Sequence, residues 1–167
     1  MLWTPLRYLA KAFVGHDTPR QMAAGFALGL LAGLVPKASL LSQLVLALIA
    51  ATQVSLAAGY GAAALASLLS PLLDPLTHRL GWLLLVDAEG LAPLWAWLYD
   101  LPIVPWTGFN NTVTLGSFVL GLALAFPAYK LSEPVFAKYQ ASWGARIRKL
   151  KLVELLLGAE LAGKAGG

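Results

Sequence analysis

The sequence predicts an all-α, polytopic helical membrane protein with short spans interrupted by glycine and proline, and amphipathic helices at its ends. Three observations lead there. Hydrophobic residues make up 59% of the 167-residue chain and charged residues only 12%, against roughly 45–50% and 25% in ordinary globular domains. Mean hydropathy is +0.72, and a soluble domain of this length cannot hide so much apolar surface. The apolar residues also fall into separate stretches in which small residues recur every fourth position, as they do where membrane helices pack closely. Cysteine is absent, which excludes disulfides and thiolate metal sites.

Residues 2–14, LWTPLRYLAKAFV, place Leu2, Leu6, Leu9 and Phe13 on one helical face and Arg7 and Lys11 on another. That pattern suits a helix lying in the membrane interface, with Trp3 and Tyr8 near the headgroups. It defines a first region, residues 1–17. A membrane domain follows over residues 18–130, with about four membrane segments. Thr18, Pro19 and Gln21 form a helix start, with a cap, a proline at the first helical position and a capping box. The segment 19–35 carries Gly25, Gly29 and Gly33 on one face, a surface for close helix packing.

Pro36 and Lys37 end that segment, and a second apolar stretch runs from Ser39 to Ala51. Both are short for an upright span of about 20 residues. Two thin crossings and a re-entrant hairpin are both compatible with them. The third segment runs from Val54 to Ser70 with a stripe of Ala58, Ala62, Ala66 and Ser70. Residues 87–111 hold Asp87, Glu89 and Asp100 but no lysine or arginine, and their aromatics suit a short helix and turn at the membrane surface. The last span, Thr112 to Tyr129, is introduced by Asn110 and Asn111 as caps and closed by Lys130. Residues 131–167 form a basic amphipathic tail whose Arg146, Arg148, Lys149 and Lys151 suit an anionic leaflet. No nucleic-acid module is recognisable, so a nucleic-acid partner is not expected.

Positive charges flank both ends, at Arg7, Lys11 and Arg20 and again at Lys130, Lys138 and the tail. By the positive-inside rule both termini are expected in the cytoplasm, with the acidic loop on the other side.

The stretch SPLLDPLTHRLG, residues 70–81, gathers polar groups inside apolar sequence. On one reading Ser70–Pro71 and Asp74–Pro75 are helix starts, the preceding helix breaks or kinks there, and Asp74 is a cap. On the other, charged groups costing about 2.5–3.5 kcal/mol each in a bilayer line a site. Arg79 would then hold a phosphate-bearing headgroup, Asp74 would orient it, and His78 would be a titratable neighbour. Contact with another protein is the third use of these groups. A Ser70/Asp74/His78 triad is disfavoured, since no nucleophile-elbow pattern accompanies it. Two histidines and no HExxH motif leave a metal centre without ligands, and no cofactor is expected.

The segments PRQMAAGFALGLLAGLVPK, LLSPLLDPLTHRLG and LYDLPIVPWTGFNNTVTLGSFVLG resemble a family of small bacterial inner-membrane proteins of unknown function, over residues 15–130. That group shares a PRxxAxGFAxGxxxGxxP start. Pro19, Arg20, Gly25, Gly29, Gly33, Pro36, Asp74, Pro75, His78, Arg79, Asn110 and Asn111 match its pattern. The resemblance implies an inner-membrane location and a gene usually placed beside a large uncharacterised envelope protein. It supplies no catalytic residues.

The expected function is therefore that of a non-enzymatic inner-membrane component assembling with a larger envelope protein and moving or handling lipid. Membrane lipids and that protein are its expected partners, and the small-residue faces also admit a homo-oligomer. Asp74, His78, Arg79, Asn110 and Asn111 are the candidate lipid or partner contacts. A small-solute transporter or channel is the alternative, or a membrane enzyme acting on a lipid-linked substrate. The early spans offer a transporter only Gln43, Thr52 and Gln53 as polar lining.

Overall fold

The computed structural model describes residues 17–148, with side chains through Lys138, and every regular element among them is helical. The proposed interfacial helix at 1–17 lies outside the described residues apart from Asp17, as do Lys149 and Lys151. Arg146 and Arg148 fall on the last turn of the final helix, with their side chains outside the description.

Helix α1 spans Pro19–Leu34. Thr18 caps it by accepting from Gln21 N at 3.3 Å, and Gln21 Oε1 accepts from Thr18 N at 2.8 Å. At the other end Pro36 has no N–H to offer the carbonyl of Ala32. The ammonium of Lys37 and the hydroxyl of Ser42 donate to that carbonyl instead. Lys37 Nζ also donates to the carbonyls of Gly33 at 3.1 Å and Val35 at 2.9 Å. A cation thus closes the carbonyl end of α1, where the helix dipole favours it.

Helix α2, Leu40–Ala51, starts at Ser39, whose Oγ accepts from Leu41 N at 3.1 Å. It runs back antiparallel to α1, with Ser42 beside Ala32 and Ile49 against Gly59. Helix α3, Leu56–Trp82, then begins where α1 began, because Ser55 N donates to Gln21 O at 3.0 Å. α1 and α3 are therefore parallel neighbours, and α2 is the return between them.

Their contact is nearly backbone to backbone. A Cβ placed on Gly25 would lie 2.5 Å from the Ser55 carbonyl oxygen. One on Gly29 would meet the Gly59 carbonyl and, at 2.9 Å, the Ala62 side chain. One on Gly33 would meet Ala66 and, at 2.7 Å, the carbonyl of Ala63. The α1 glycine face is thus filled from within the chain. On α3 the facing line is Ser55, Gly59, Ala62, Ala63 and Ala66, continued by Ser70; of the expected stripe Ala58, Ala62, Ala66 and Ser70, Ala58 is only half-buried. A strict fourth-residue stripe drifts around a helix of 3.6 residues per turn, so a straight contact alternates steps of three and four.

The sequence places a break or kink in the 70–75 region, and the helix is not broken there. α3 passes through Pro71 and Pro75 as one helix and widens into a π-helical turn over Leu83–Asp87. Each proline removes only the bond to the residue four before it, here the carbonyls of Ser67 and Pro71. Packing on both sides holds the helix: Ser70 Oγ donates to Leu34 O at 3.0 Å, and Thr77, 2% exposed, lies against Gly116. Asp74 is accordingly not a cap but a mid-helix residue.

A 3₁₀ turn at Glu89–Leu91, helix α4 at Ala92–Tyr99 and a second 3₁₀ turn at Val104–Thr107 lead to helix α5, Thr112–Arg148. α5 is antiparallel to α1 and α3. Gly116 lies against Thr77, Gly121 against Leu31, Phe136 is 6.2 Å from Phe26 ring to ring, and Glu133 Oε1 is 3.2 Å from Arg20 Nε. It continues through Pro127 and Pro134, so the span and the start of the basic tail are one helix rather than two elements meeting at Lys130.

The core between α1, α3 and α5 is made mostly of small residues, including Ala23, Ala27, Ala32, Ala62, Ala63 and Ala66. Many large side chains point outward: Leu68 and Leu72 are each 77% exposed and Phe126 is 68% exposed. Leu56–Asp87 and Thr112–Lys138 are long and apolar enough to cross a membrane, with only 22% and 28% of their most apolar windows buried.

Replacing Gly29 by alanine is expected to destabilise the fold by about 1–3 kcal/mol, because the Gly59 backbone cannot move aside as a side chain can. Gly61→Ala, at a position with no atom within 4 Å of the added carbon, is expected to be neutral or slightly stabilising. Thermal unfolding of both variants in mild detergent checks this; equal melting of the two would refute the seam.

Candidate functional site

The polar groups of residues 74–81 come together with the start of α5 through a second close contact. A side chain on Gly81 would strike the Thr112 backbone, and one on Gly116 would strike the carbonyl of Thr77. With the helices this close, His78 Nδ1 and Thr112 Oγ1 share a hydrogen bond of 2.6 Å. The Trp82 ring, one turn further on, lies 5.9 Å from the His78 ring.

Asn111 fixes where α5 begins. Its Oδ1 accepts from Val113 N at 2.9 Å and Thr114 N at 3.1 Å, which satisfies two of the four free N–H groups at a helix start. Gly108 precedes it in the left-handed region, φ 69°, where a glycine avoids the steric penalty of a side chain. The excursion between α3 and α5 is pinned to this end of the bundle. Trp95 Nε1 donates to Leu84 O at 2.8 Å, and the Trp95 ring sits 6.0 Å from that of the buried Phe109. Trp97, Tyr99 and Trp106 remain exposed.

An open groove of about 460 Å³ lies beside this junction, lined by His78, Arg79, Trp82, Leu83 and Asp87. Arg79 is exposed and meets no carboxylate among the described residues. Its guanidinium therefore has its donors available for an anion, and it presents them beside an indole and a leucine.

Of the candidate contacts read from the sequence, His78 and Arg79 share the groove. Asp74 is half-buried one turn before His78 and does not line it. Asn111 is engaged as a cap, and Asn110 is exposed beside it. Trp82, Leu83 and Asp87 were missed. Their signal was the four-residue spacing from His78 to Trp82 and from Arg79 to Leu83 to Asp87, which brings Asp87 onto the shared face only if the helix runs on to residue 87, where the sequence reading begins a loop.

A triad of Ser70, Asp74 and His78 is not assembled, since Ser70 donates to Leu34 O and His78 bonds Thr112. Among the described residues no three His, Cys, Asp or Glu side chains gather to hold a metal ion.

The fold and site define a helical protein with two helices long and apolar enough to cross a membrane and an open groove, lined by Arg79 and Asp87, near the end of one of them. Residues 5–143 match the family described as uncharacterised protein conserved in bacteria (DUF2062), and the chain belongs to that family. Neither a curated protein nor a solved structure matches it.

Asn111→Ala is expected to destabilise the protein by about 1 kcal/mol through loss of the cap, whereas Asn110→Ala stays within about 0.5 kcal/mol of the parent. Unfolding midpoints of the two variants provide the check. Equal losses would show that the cap assignment is wrong.

Proposed function

We propose that the chain is a polytopic protein of the bacterial inner membrane that handles phospholipid without catalysing a reaction, in company with a larger envelope protein. The observation that carries this reading is the packing: alanine and glycine at the helix contacts, and many more large apolar side chains outside than inside. In water such a surface would aggregate, whereas in lipid small residues bring helices together and large apolar ones face the acyl chains.

The dimensions agree. The apolar part of α5, residues 112–129, rises about 27 Å against a hydrocarbon core of about 30 Å. α1 has 16 residues and α2 has 12, roughly 24 and 18 Å long. Both are too short to cross upright, and both begin or end at the Arg20 end of the bundle. They therefore suit a re-entrant hairpin whose tip stops level with Ser70, its irregular backbone satisfied by Lys37, Ser42 and Gln43. Arg20, Lys130 and Lys138 gather at one end, and Asp87, Glu89 and Asp100 belong to the other. The positive-inside rule then puts both termini in the cytoplasm and residues 80–111 at the far interface, with Trp97, Tyr99 and Trp106 in its aromatic belt.

In this frame the Arg79 groove sits at headgroup level, and a lipid phosphate is the anion within its reach. The resemblance noted above suggests the envelope protein as partner. A solute channel is less well supported, because Gln43, Thr52 and Gln53 all lie on exposed surface and glycine contacts fill the interior.

The absence of native cysteine makes sidedness measurable. A single cysteine at Asp100 is expected to react with an impermeant maleimide in intact spheroplasts, and one at Lys138 only after lysis; the reverse pattern would contradict the orientation. Protein purified gently from its own membrane should retain phospholipid and a stoichiometric large envelope protein. Arg79→Ala should insert normally yet retain roughly tenfold less phospholipid, the loss of a charge-assisted hydrogen-bond pair. Unchanged lipid content would remove Arg79 from the reading.

A further inference from the structure

We infer that the occupant of the groove is a zwitterionic phospholipid, one carrying an ammonium group beyond its phosphate. This rests on the lipid-handling reading above and names the lipid class. The outer face of α3 carries the argument. Leu65, Leu68, Leu72 and Leu76 are all exposed and follow one another at steps of three or four residues. The same steps continue to Arg79, Leu83 and Asp87, so a leucine ridge, a cation and an anion succeed one another along a single line.

Their order matches the order of groups in one lipid molecule. Acyl chains lie along the leucine ridge, deep in the bilayer. The phosphate comes next, where Arg79 offers paired N–H donors. An ammonium carried beyond the phosphate reaches Asp87, with the Trp82 ring alongside as a second, cation–π contact. The π-helical turn over Leu83–Asp87 belongs to the same groove wall. A lipid whose headgroup ends in uncharged hydroxyls satisfies Arg79 equally but leaves Asp87 and Trp82 without a cation. Arg79 and Asp87 also bring one positive and one negative charge to the groove, which suits a headgroup carrying one of each.

The test uses the full-length chain reconstituted into vesicles of equimolar phosphatidylethanolamine and phosphatidylglycerol with identical acyl chains. Native mass spectrometry after mild solubilisation then counts the bound lipids. The parent protein is expected to retain phosphatidylethanolamine roughly tenfold over phosphatidylglycerol, the scale of one charge-assisted contact. Asp87→Asn should bring that ratio close to one without lowering total phospholipid, and Asp87→Glu should keep the preference. Arg79→Ala should lower both lipids together. A parent ratio near one or favouring phosphatidylglycerol, or a preference unchanged in Asp87→Asn, overturns the inference while the Arg79 loss still upholds phosphate binding. Full retention of both lipids by Arg79→Ala overturns the phosphate contact itself, and the inference with it.

Discussion

The architecture depends on how closely the backbone of α1 approaches that of α3. Gly25, Gly29 and Gly33 leave no room for even one methyl group against Ser55, Gly59 and the alanines that follow. In the bilayer proposed above no hydrophobic force would drive helices together, and packing at this range, with hydrogen bonds, would hold them. The same contact sets the topology. Because Ser55 N bonds Gln21 O, α3 must start at the level where α1 starts, and α2 with the link over residues 52–54 must therefore return along α1. The hairpin and the parallel pair have one cause.

A second contact of the same kind, at Gly81 and Gly116, builds the candidate site. It brings Thr112 onto His78 and fixes the face that Arg79, Leu83 and Asp87 present outward. The two seams lie on either side of Pro71 and Pro75, and between them they hold α3 as one helix where local rules favour a break. The groove owes its shape to that continuity: a break at Pro75 would separate Arg79 from the leucine ridge behind it.

Local features were legible in the sequence. Thr18 with Gln21, and Asn111, act through side-chain bonds to N–H groups two or three residues away, and those are written in the residues themselves. The limits of α1 and α2 followed from Pro36, Lys37 and Thr52. The course of α3 was not legible, because the groups that support it past its prolines, Leu34 O and Gly116, come from sequence far away. The register of the α1–α3 seam was legible only in part: Ala62 and Ala66 were found, but Gly59 and Ala63 need the helix geometry rather than a fixed spacing. For the site, His78 and Arg79 stood out by charge in apolar surroundings. Trp82, Leu83 and Asp87 did not, since the first two read as ordinary apolar span and Asp87 as the start of a loop, whereas the helix runs on to it.

The central claim is that α1 and α2 enter the bilayer together and turn back before reaching its far side. The most direct measurement is the depth of a spin label at Ala38, next to the hairpin tip, in reconstituted vesicles. Relaxation by oxygen is compared with relaxation by a water-soluble nickel chelate. The account predicts strong relaxation by oxygen and weak relaxation by nickel, unlike a label at Asp100, which should respond mainly to nickel. A label at Ala38 as open to nickel as the one at Asp100 would mean that the two short helices cross the membrane or lie outside it, and would contradict the account.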